Sequence, residues 1–399
     1  MQSKDYIELD EKYGAHNYHP LPVVISWAEG VKVKDPEGKT YFDFLSAYSA
    51  VNQGHRHPKI IKALIDQANS CTLTSRAFHN DRMGLFLKKL CEYTGYEHAL
   101  PMNTGAEAVE TGIKAARRWG VEVKGVQNGK QEIICVNENF HGRTLMAITM
   151  SNDPDSLINY GPYVPGFIRV PYEDVAAMEK AITANTVAII LEPIQGEAGV
   201  CVPYEGYLKA VRDLCTKNNI LFIADEVQTG FCRTGKRFAW QHENARPDIM
   251  CLGKALGGGV MPVSAIVADH GVMKVFTPGT HGSTFGGNPL ASSVAMAALD
   301  VLVDEKLDEH AEAMGKIFRE EIAKIKCSNM VKVRGKGLLN AILFKDGFQA
   351  WDVCLALRDA GLLAKQTHGN IIRFAPPLVI TETELREAIA IIARVLGKF

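Results

Sequence analysis

The chain has 399 residues, 47% of them hydrophobic and 22% charged, which is typical of a globular protein and is long enough for two domains. Its 44 Lys and Arg residues balance 45 Asp and Glu residues, so the charge gives no reason to expect nucleic acid or an anionic membrane as a partner. No segment approaches the roughly 18 uncharged apolar residues of a membrane span, so no membrane-spanning helix is expected.

Residues 1–45 are predicted to form an extended N-terminal segment that includes a hairpin. The alternating residues Val31-Lys32-Val33 favour a strand. Asp35-Pro36-Glu37-Gly38 follows one residue later and contains the residue types that make tight turns.

Residues 46–290 are predicted to form a large domain around a mainly parallel sheet. Short apolar runs alternate there with helical patterns, and the strand candidates are Glu132–Val136, Val187–Leu191, Ile220–Ala224, Ile249–Leu252 and Val263–Ala268. Between two of them, Tyr207, Val211 and Leu214 recur at helical spacing. This alternation predicts an α/β fold with helices on both faces of the sheet, which binds ligands beyond the carboxyl ends of its strands.

Residues 291–399 are predicted to form a smaller α+β domain. A long helical pattern covers 291–326, and short strand candidates follow at Leu339–Phe344 and Ile371–Phe374. Thr381 and Glu384 make a capping box at the start of the final helix, whose apolar stripe is Leu385, Ile389, Ile392 and Leu396.

The nine cysteines indicate a reducing compartment. They are spread along the chain without a C-x-x-C pair, which is typical of free, buried thiols and not of a disulfide framework. The N-terminus has no apolar signal-peptide core, so we expect a cytoplasmic protein, with the mitochondrial matrix as the alternative if a presequence has been removed. His55 and His57 could suggest a metal site on one strand face, but a structural role is expected and no metal is predicted.

Two charged residues follow apolar runs in the large domain. Lys254 comes directly after Ile249–Leu252 and opens a glycine-rich segment, and Asp225 comes directly after the run that ends at Ala224. A lysine and an aspartate at the ends of two buried strands suit pyridoxal phosphate: the lysine forms a Schiff base with the aldehyde, and the aspartate holds a proton on the pyridine nitrogen. On these two residues alone, an unrelated α/β domain with charged strand ends remains an alternative.

A helix start at Thr104-Gly105-Ala106 offers a place for a phosphate. Thr104 is the expected N-cap, Val109, Ile113 and Ala116 form the buried stripe, and Gly120 is expected to end the helix. Free N–H groups and the positive end of the helix dipole attract anions. Such residues also begin many helices for capping alone.

Two loops carry further candidate side chains. Phe140 and Arg143 follow the strand at Glu132–Val136, where the aromatic ring could stack on a flat heterocycle and the guanidinium could grip a carboxylate. Ser283 and Thr284 lie in a glycine-rich stretch suited to phosphate oxygens. A core-filling aromatic residue, a surface arginine and a structural turn are the alternatives.

Several motifs, taken together, resemble a known enzyme family. They are Tyr13–Pro20 (YGAHNYHP), Ser46–His55 (SAYSAVNQGH), Leu191–Gly199 (LEPIQGEAG) and Ile372–Pro377 (IRFAPP). On these residues the chain resembles the fold-type-I, class III pyridoxal-phosphate-dependent aminotransferases, and within them the ornithine-acting group. The resemblance implies a mainly parallel seven-stranded sheet in the large domain, and a homodimer with shared active sites.

The resemblance also implies roles in cofactor binding. Phe140 would stack on the ring, Gln228 would reach the phenolic oxygen, and Gly105 and Ala106 would present N–H groups to the phosphate. Ser283 and Thr284 would reach the phosphate of the neighbouring subunit. The full set of cofactor-site residues that it implies is Thr104, Gly105, Ala106, Phe140, Glu192, Asp225, Val227, Gln228, Lys254, Ser283 and Thr284.

The implied reaction moves the δ-amino group of ornithine to 2-oxoglutarate, giving glutamate. Arg143 would hold the ornithine α-carboxylate, with Tyr18 and Tyr48 keeping its α-amine away from the cofactor. Arg373 would bind the α-carboxylate of 2-oxoglutarate or glutamate, and Glu197 would mask Arg373 while ornithine reacts.

Two alternatives stay open at this point. One is another ω-aminotransferase acting on acetylornithine or 4-aminobutyrate, against which Tyr18 and Tyr48 argue because those substrates lack a free α-amine. The other is a non-catalytic protein with the same fold. His141, where some relatives have tryptophan, and Cys232, where a small residue is usual, put fine specificity in doubt but not the reaction.

Overall fold

The structure is a computed structural model that describes residues 1–399. The strands are β1 Trp27–Glu29, β2 Lys32–Lys34, β3 Thr40–Asp43, β4 His98–Met102, β5 Glu132–Val136, β6 Phe167–Val170, β7 Thr186–Leu191, β8 Leu221–Asp225, β9 Ile249–Leu252, β10 Ser264–Ala268, β11 Met330–Lys336, β12 Leu339–Phe344, β13 Leu362–Leu363, β14 Lys365–Thr367 and β15 Ile371–Phe374. The helices are α1 Ser3–Tyr13, α2 Ser46–Ser49, α3 Pro58–Ala68, α4 Met83–Thr94, α5 Gly105–Glu122, α6 Leu145–Thr149, α7 Pro154–Leu157, α8 Val175–Ala181, α9 Tyr207–Lys217, α10 His270–Met273, α11 Pro289–Asp304, α12 Leu307–Ala323, α13 Ala350–Asp359 and α14 Glu382–Leu396, with 3₁₀ turns at Ala239–His242 and Lys254–Gly257.

A seven-stranded sheet forms the centre of the molecule, in the order β4-β10-β9-β8-β7-β5-β6. The pairs from β9 to β6 are parallel, and β10 alone runs against its two neighbours. The predicted mainly parallel sheet is therefore confirmed, and the predicted strands Glu132–Val136 and Ile249–Leu252 have the predicted bounds. Their continuous apolar composition follows from burial on both faces.

Helices cover both faces of this sheet, as the alternating pattern predicts. The apolar side of α5, including Val109, Ile113 and Ala116, is buried with one face of the sheet. The predicted helix with Tyr207, Val211 and Leu214 is α9, which packs on the opposite face. Loops that could bind a ligand therefore emerge where the strands end, and the carboxyl ends of the parallel strands all lie on the same side of the sheet.

Two smaller sheets flank the central one. The sheet β11-β12-β15-β14 is antiparallel, and its strands at Leu339–Phe344 and Ile371–Phe374 have the predicted bounds. The sheet β1-β2-β3-β13 contains the predicted N-terminal hairpin, whose turn follows Lys34. Its last strand, β13, comes from the C-terminal part of the chain and pairs parallel with β3. The N-terminal segment is thereby tied to residues more than 300 positions further along.

Three predicted elements differ from the structure. Residues 3–13 form a helix and not an extended segment; none of its residues is buried, so no apolar stripe announced it. The helical pattern at 291–326 is two helices, because Lys306 adopts a left-handed conformation (φ +48°) between α11 and α12. Gly120 does not end α5: it lies inside the helix, where a Cβ atom would come within 2.2 Å of Val187 and prevent close packing on β7.

Candidate active site

Lys254 and Asp225 lie side by side at the carboxyl edge of the central sheet. Asp225 is the last residue of β8, and β8 pairs parallel with β9, which ends two residues before Lys254. Gly253 separates strand and lysine, and Lys254 opens the 3₁₀ turn with a left-handed backbone (φ +44°). This departure from the favoured backbone regions is typical of functional positions that the surrounding structure holds in place. The predicted proximity of the two residues is confirmed.

The N-terminus of α5 points at the same edge. Thr104 is its N-cap, as predicted: the threonine oxygen accepts the N–H of Glu107, and the Glu107 carboxylate accepts the N–H groups of Asn103 and Thr104. The capping box thereby leaves the N–H groups of Gly105 and Ala106, which begin the helix, available for an external acceptor. Gly105 is required by space, since a Cβ atom there would lie 2.8 Å from Val227 Cγ1.

These elements enclose a cavity of about 180 Å³. Eight of the predicted cofactor-site residues line it, namely Gly105, Ala106, Phe140, Glu192, Asp225, Val227, Gln228 and Lys254. His141 and Gly142 complete the lining, although neither was predicted as a site residue. An amine, a carboxylate, an aromatic ring and free N–H groups therefore converge on one cavity at a sheet edge.

Pyridoxal phosphate fits this set of donors and acceptors. Lys254 supplies an amine for its aldehyde, Asp225 an acceptor for a pyridinium N–H, and the start of α5 supplies donors for its phosphate. Two buried polar atoms of the lining residues, Gln228 Oε1 and His141 Nε2, have no hydrogen-bond partner in the chain. Buried polar atoms are rarely left unpaired, so an unpaired atom that lines a cavity is a mark of a ligand site.

His141 binds Asp225 directly. Its Nδ1 lies 2.7 Å from Asp225 Oδ2, and its side chain is fully buried. Burial alone would lower the pKa of His141, but the hydrogen bond and the charge of Asp225 outweigh burial and raise it. The His141 ring thus holds one oxygen of the Asp225 carboxylate, and both residues line the cavity. The sequence analysis gave His141 no role in the reaction. Its position one residue after Phe140 was the feature that could have indicated that it lies in the site.

Glu192 holds the loop that carries Phe140. Its carboxylate accepts the N–H of Phe140 at 2.8 Å and that of Gly196 at 3.3 Å. Burial raises the pKa of Glu192 to about 7, against the lowering effect of the His141 charge. Glu192 therefore lines the cavity and also fixes the backbone that carries the Phe140 ring.

Lys254 is placed so that its amine loses its proton easily. Burial lowers the pKa of Lys254, while the charges of Glu197 and Asp225 partly oppose that effect. A lysine with a lowered pKa has more of the neutral amine, which is the form that attacks a carbonyl carbon and accepts a proton. The environment of Lys254 therefore suits both nucleophilic and base chemistry.

Glu197, Arg373 and Tyr48 form a cluster that Gln228 connects to the cavity. Glu197 Oε1 lies 2.6 Å from Arg373 Nη1 and accepts the amide of Gln228 at 3.1 Å. The guanidinium of Arg373 lies 4.9 Å from the centre of the Tyr48 ring. Burial would raise the pKa of Glu197, but Arg373 outweighs it and the pKa is lowered. Glu197 is therefore an ionised carboxylate. It pairs with the guanidinium of Arg373, the cationic side chain of the cluster, which would otherwise be free to bind an anion.

Arg143 and Tyr18 lie further out. Arg143 is exposed, donates to the Ser156 hydroxyl at 2.9 Å, and lies 5.5 Å from the centre of the Phe140 ring. Tyr18 is 79% exposed, yet it lies close enough to Tyr48 to influence the pKa of that residue. Both side chains are therefore next to cavity or cluster residues without lining the cavity.

Ser283 and Thr284 do not line the Lys254 cavity. They line a separate surface depression together with residues 73–76. The Ser283 hydroxyl accepts the Asn103 amide at 2.9 Å and the N–H of Gly286 at 2.9 Å. Within the single chain, neither hydroxyl reaches the Lys254 cavity.

The remaining sequence candidates have structural partners. His55 bonds to Asp43 at 2.8 Å and His57 to Glu305 at 2.9 Å, so the two rings do not converge, and His55 makes only an isolated bridge instead of lying in a strand. Cys232 is buried against the hydroxyl of Tyr93, 3.6 Å away, in the core and outside the cavity lining. None of the nine cysteines forms a disulfide, no group of residues has the makings of a metal site, and no helix is long and apolar enough to cross a membrane.

Comparison with known proteins places this site in a family. The model of the class-III aminotransferases matches residues 13–396. The ornithine aminotransferase of Oceanobacillus iheyensis is 59% identical over 396 residues, 99% of each chain. Among solved structures, the ornithine aminotransferase of Toxoplasma gondii has a TM-score of 0.98 at 45% identity, covering 100% of this chain and 96% of that one. The acetylornithine aminotransferase of Elizabethkingia anophelis has a TM-score of 0.92 at 55% identity, covering 100% of both chains.

Proposed function

The chain belongs to the class-III aminotransferase family, and from that premise we propose that it transfers the δ-amino group of L-ornithine to 2-oxoglutarate. The products are L-glutamate and L-glutamate 5-semialdehyde, which cyclises to pyrroline-5-carboxylate. The observation that carries the proposal is the Glu197–Arg373 ion pair, closed at 2.6 Å beside the Lys254 cavity.

Class-III aminotransferases use pyridoxal 5′-phosphate, which supplies an electron sink for the charge that develops at the substrate carbon. Lys254 would hold its aldehyde, Asp225 would keep a proton on its ring nitrogen, and His141, bonded to Asp225, would hold that carboxylate in place. Phe140, Gly105 and Ala106 line the cavity, where Phe140 would cover the ring and the two N–H groups would donate to the phosphate. Further support comes from Gln228, whose unpaired buried oxygen faces the same cavity.

Lys254 also moves the proton that the reaction requires. With substrate bound, the free lysine amine would accept the proton from the substrate carbon that carries the amino group and would give it up again as the amino group moves. The lowered pKa of Lys254, caused by its burial, favours the neutral amine that this transfer needs. The walls of the cavity keep the amine beside the reacting carbon, which reduces the entropic part of the barrier.

Ornithine carries two amines, so the site has to choose between them. We assign the ornithine α-carboxylate to Arg143, with Tyr18 and Tyr48 addressing the α-amine and directing the δ-amine inward. A free Arg373 would attract the α-carboxylate and bring the α-amine to Lys254. Glu197 prevents this by pairing with Arg373, which is the arrangement in the structure.

The second half-reaction needs the opposite state of the same pair. 2-Oxoglutarate brings an α-carboxylate for Arg373, whose planar guanidinium binds carboxylates with two hydrogen bonds. Glu197 then has to leave, and we propose that the glutamate is the partner that moves because its side chain is 28% exposed against 5% for Arg373. One ion pair thereby serves two substrates in alternation.

A second candidate function is transfer from N-acetylornithine, which the 55% identity to the Elizabethkingia anophelis protein favours. Against it, Tyr18 and Tyr48 would address a free α-amine, which acetylornithine lacks. A substrate panel with purified holoenzyme decides between the two. Ornithine is expected to give pyrroline-5-carboxylate with a higher kcat/KM than acetylornithine or 4-aminobutyrate, and a higher kcat/KM for acetylornithine would overturn the proposal.

We propose a homodimer in which each subunit completes the other's site. Ser283 and Thr284 lie apart from their own Lys254 cavity. The depression that they line includes Leu73, and Leu73, Phe78 and Phe285, which lie at or within two residues of its lining segments, are large exposed apolar side chains. We further propose the cytoplasm as the compartment, supported by nine free thiols. The division into 1–45, 46–290 and 291–399 is retained as a proposal about domains.

A further inference from the structure

The segment that carries Tyr48 has an unusual backbone. Four consecutive residues, Ser46, Ala47, Tyr48 and Ser49, have φ values of +49°, +45°, +58° and +72°. None of them is glycine. A left-handed turn of L residues is disfavoured because each Cβ crowds the following carbonyl oxygen, and such residues normally occur singly. Something in the surrounding structure therefore has to hold this turn.

Asp43 is the residue that holds the turn. Its Oδ1 accepts the N–H groups of Leu45 and Ser46, each at 2.9 Å. Its Oδ2 lies 2.8 Å from His55 Nε2, which fixes the orientation of the carboxylate. Asp43 is 7% exposed, so these are hydrogen bonds to a buried carboxylate, stronger than those between neutral groups.

The turn is also attached to the strand that carries Arg373. The buried hydroxyl of Ser46 donates to the carbonyl oxygen of Ala375 at 2.7 Å, and the N–H of Ala375 donates to the carbonyl oxygen of Phe44. Ala375 follows Arg373 by two residues. The Tyr48 ring is consequently placed over the Arg373 guanidinium by main-chain and side-chain contacts on both sides of the turn.

From these contacts we propose that Asp43 and His55 are positioning residues for amine selection. They hold the left-handed turn, the turn holds Tyr48 over Arg373, and Tyr48 together with Glu197 controls which end of ornithine reaches Lys254. This inference rests on the proposed role of Tyr48 in ornithine transfer. Neither Asp43 nor His55 touches the cavity, so their effect acts through Tyr48.

The test compares Asp43→Ala with Asp43→Asn in the holoenzyme. Asp43→Ala removes both acceptors, and the ratio of δ- to α-amine transfer from ornithine is expected to fall about tenfold, the factor that loss of hydrogen bonds to a charged group produces. Asp43→Asn keeps an oxygen for the two N–H groups and is expected to recover most of the ratio. Asp174→Ala, which removes the N-cap of α8 (Asp174 accepts the N–H of Ala177 at 2.8 Å), is the control and leaves the ratio unchanged.

Ala47→Gly provides a second variant if Asp43→Ala folds poorly. Ala47 is exposed, and glycine adopts its left-handed conformation without crowding. Combined with Asp43→Ala, it is expected to restore both the thermal midpoint and the δ-to-α ratio. Recovery of the midpoint without the ratio would show that Asp43 does not act on the ratio through this turn and would overturn the inference.

A readout without catalysis separates this inference from the proposed function. Hydrogen exchange of a peptide spanning residues 43–50 is expected to be faster in Asp43→Ala than in the wild type, and slowed again by Asp43→Asn. If the wild type transfers the δ-amine and a folded Asp43→Ala keeps the wild-type ratio, the inference fails and the proposed function stands. If the wild type does not transfer the δ-amine, the proposed function fails, whatever the exchange rates.

Discussion

Replacing Glu197 by alanine is expected to make the α-amine of ornithine reactive. The change removes the carboxylate that lies 2.6 Å from Arg373 and leaves the guanidinium, 5% exposed, beside the Lys254 cavity without its ionic partner. Arg373 retains a long contact to the Gly196 carbonyl oxygen at 3.4 Å and the Tyr48 ring over its plane. Neither neutralises a cation, so the ornithine α-carboxylate becomes its natural partner.

The size of the effect follows from the contact that is lost. A hydrogen bond between charged groups contributes about 1.5 to 3 kcal/mol, and each 1.4 kcal/mol is a factor of ten. In the wild type the ornithine carboxylate has to displace Glu197 from Arg373, so its binding there is weakened by the free energy of that hydrogen bond. The kcat/KM for α-amine transfer is therefore expected to rise about 10- to 100-fold in Glu197→Ala, while 2-oxoglutarate binding is retained or improved.

The assay follows both products of ornithine. Transfer of the δ-amine gives pyrroline-5-carboxylate, and transfer of the α-amine gives its isomer pyrroline-2-carboxylate. Chromatography against standards separates the two products. Glu179→Ala removes an exposed ion pair with Lys217 (2.8 Å) and is the matched control, for which wild-type products are expected. Unchanged regiochemistry in Glu197→Ala would refute the masking of Arg373.

Three further outcomes are expected from the geometry. In Gly196→Ala the new Cβ would lie 1.5 Å from Gln228 Oε1, so Gln228 is displaced and activity with ornithine falls at least about tenfold, measured as kcat/KM. Burial raises the pKa of Glu226 to about 7. As the pH rises, the unfolded chain loses this proton near pH 4.5, whereas the folded chain keeps it until about pH 7. The free energy of unfolding of the wild type therefore falls by up to about 3 kcal/mol as the pH rises through that window. Glu226→Gln is expected to flatten this decline in thermal midpoints recorded from pH 5 to pH 8. His141→Phe removes the 2.7 Å bond to Asp225 and is expected to weaken cofactor retention about tenfold, followed by absorbance after gel filtration.

Each of these outcomes has a control or a contradicting result. Gly84→Ala, where a Cβ meets nothing within 4 Å in α4, is the control for Gly196→Ala and is expected to keep full activity. A Glu226→Gln variant with the pH dependence of the wild type would show that the buried carboxyl does not titrate in that window. Full cofactor retention in His141→Phe would show that Asp225 is oriented without the imidazole.

The residues at the centre of the site could be predicted from the sequence, whereas the contacts that hold them in place could not. Lys254 and Asp225 could be located because continuous apolar runs mark strands buried on both faces, and polar residues at their ends mark the binding edge. The capping box at Thr104 is a local pattern and was equally readable. These features depend only on neighbouring residues in the chain.

The contacts that support the site join residues far apart in sequence. His141 and Asp225 are 84 positions apart, and Glu197 and Arg373 are 176 apart, so without the family resemblance nothing local in the sequence links the members of either pair. The left-handed turn at 46–49 contains no glycine, and its conformation depends on Asp43 and on a strand near the C-terminus. Tertiary contacts there override the local preference of the backbone.

The central claim is that the δ-amine, and not the α-amine, of ornithine is transferred. L-Ornithine labelled with ¹⁵N only at the δ position, incubated with holoenzyme and 2-oxoglutarate, tests it in one mass-spectrometric measurement of the glutamate formed. We expect the label in essentially all of that glutamate. Unlabelled glutamate, with the ¹⁵N left in the other product, would contradict the assignment of Arg143, Glu197 and Arg373.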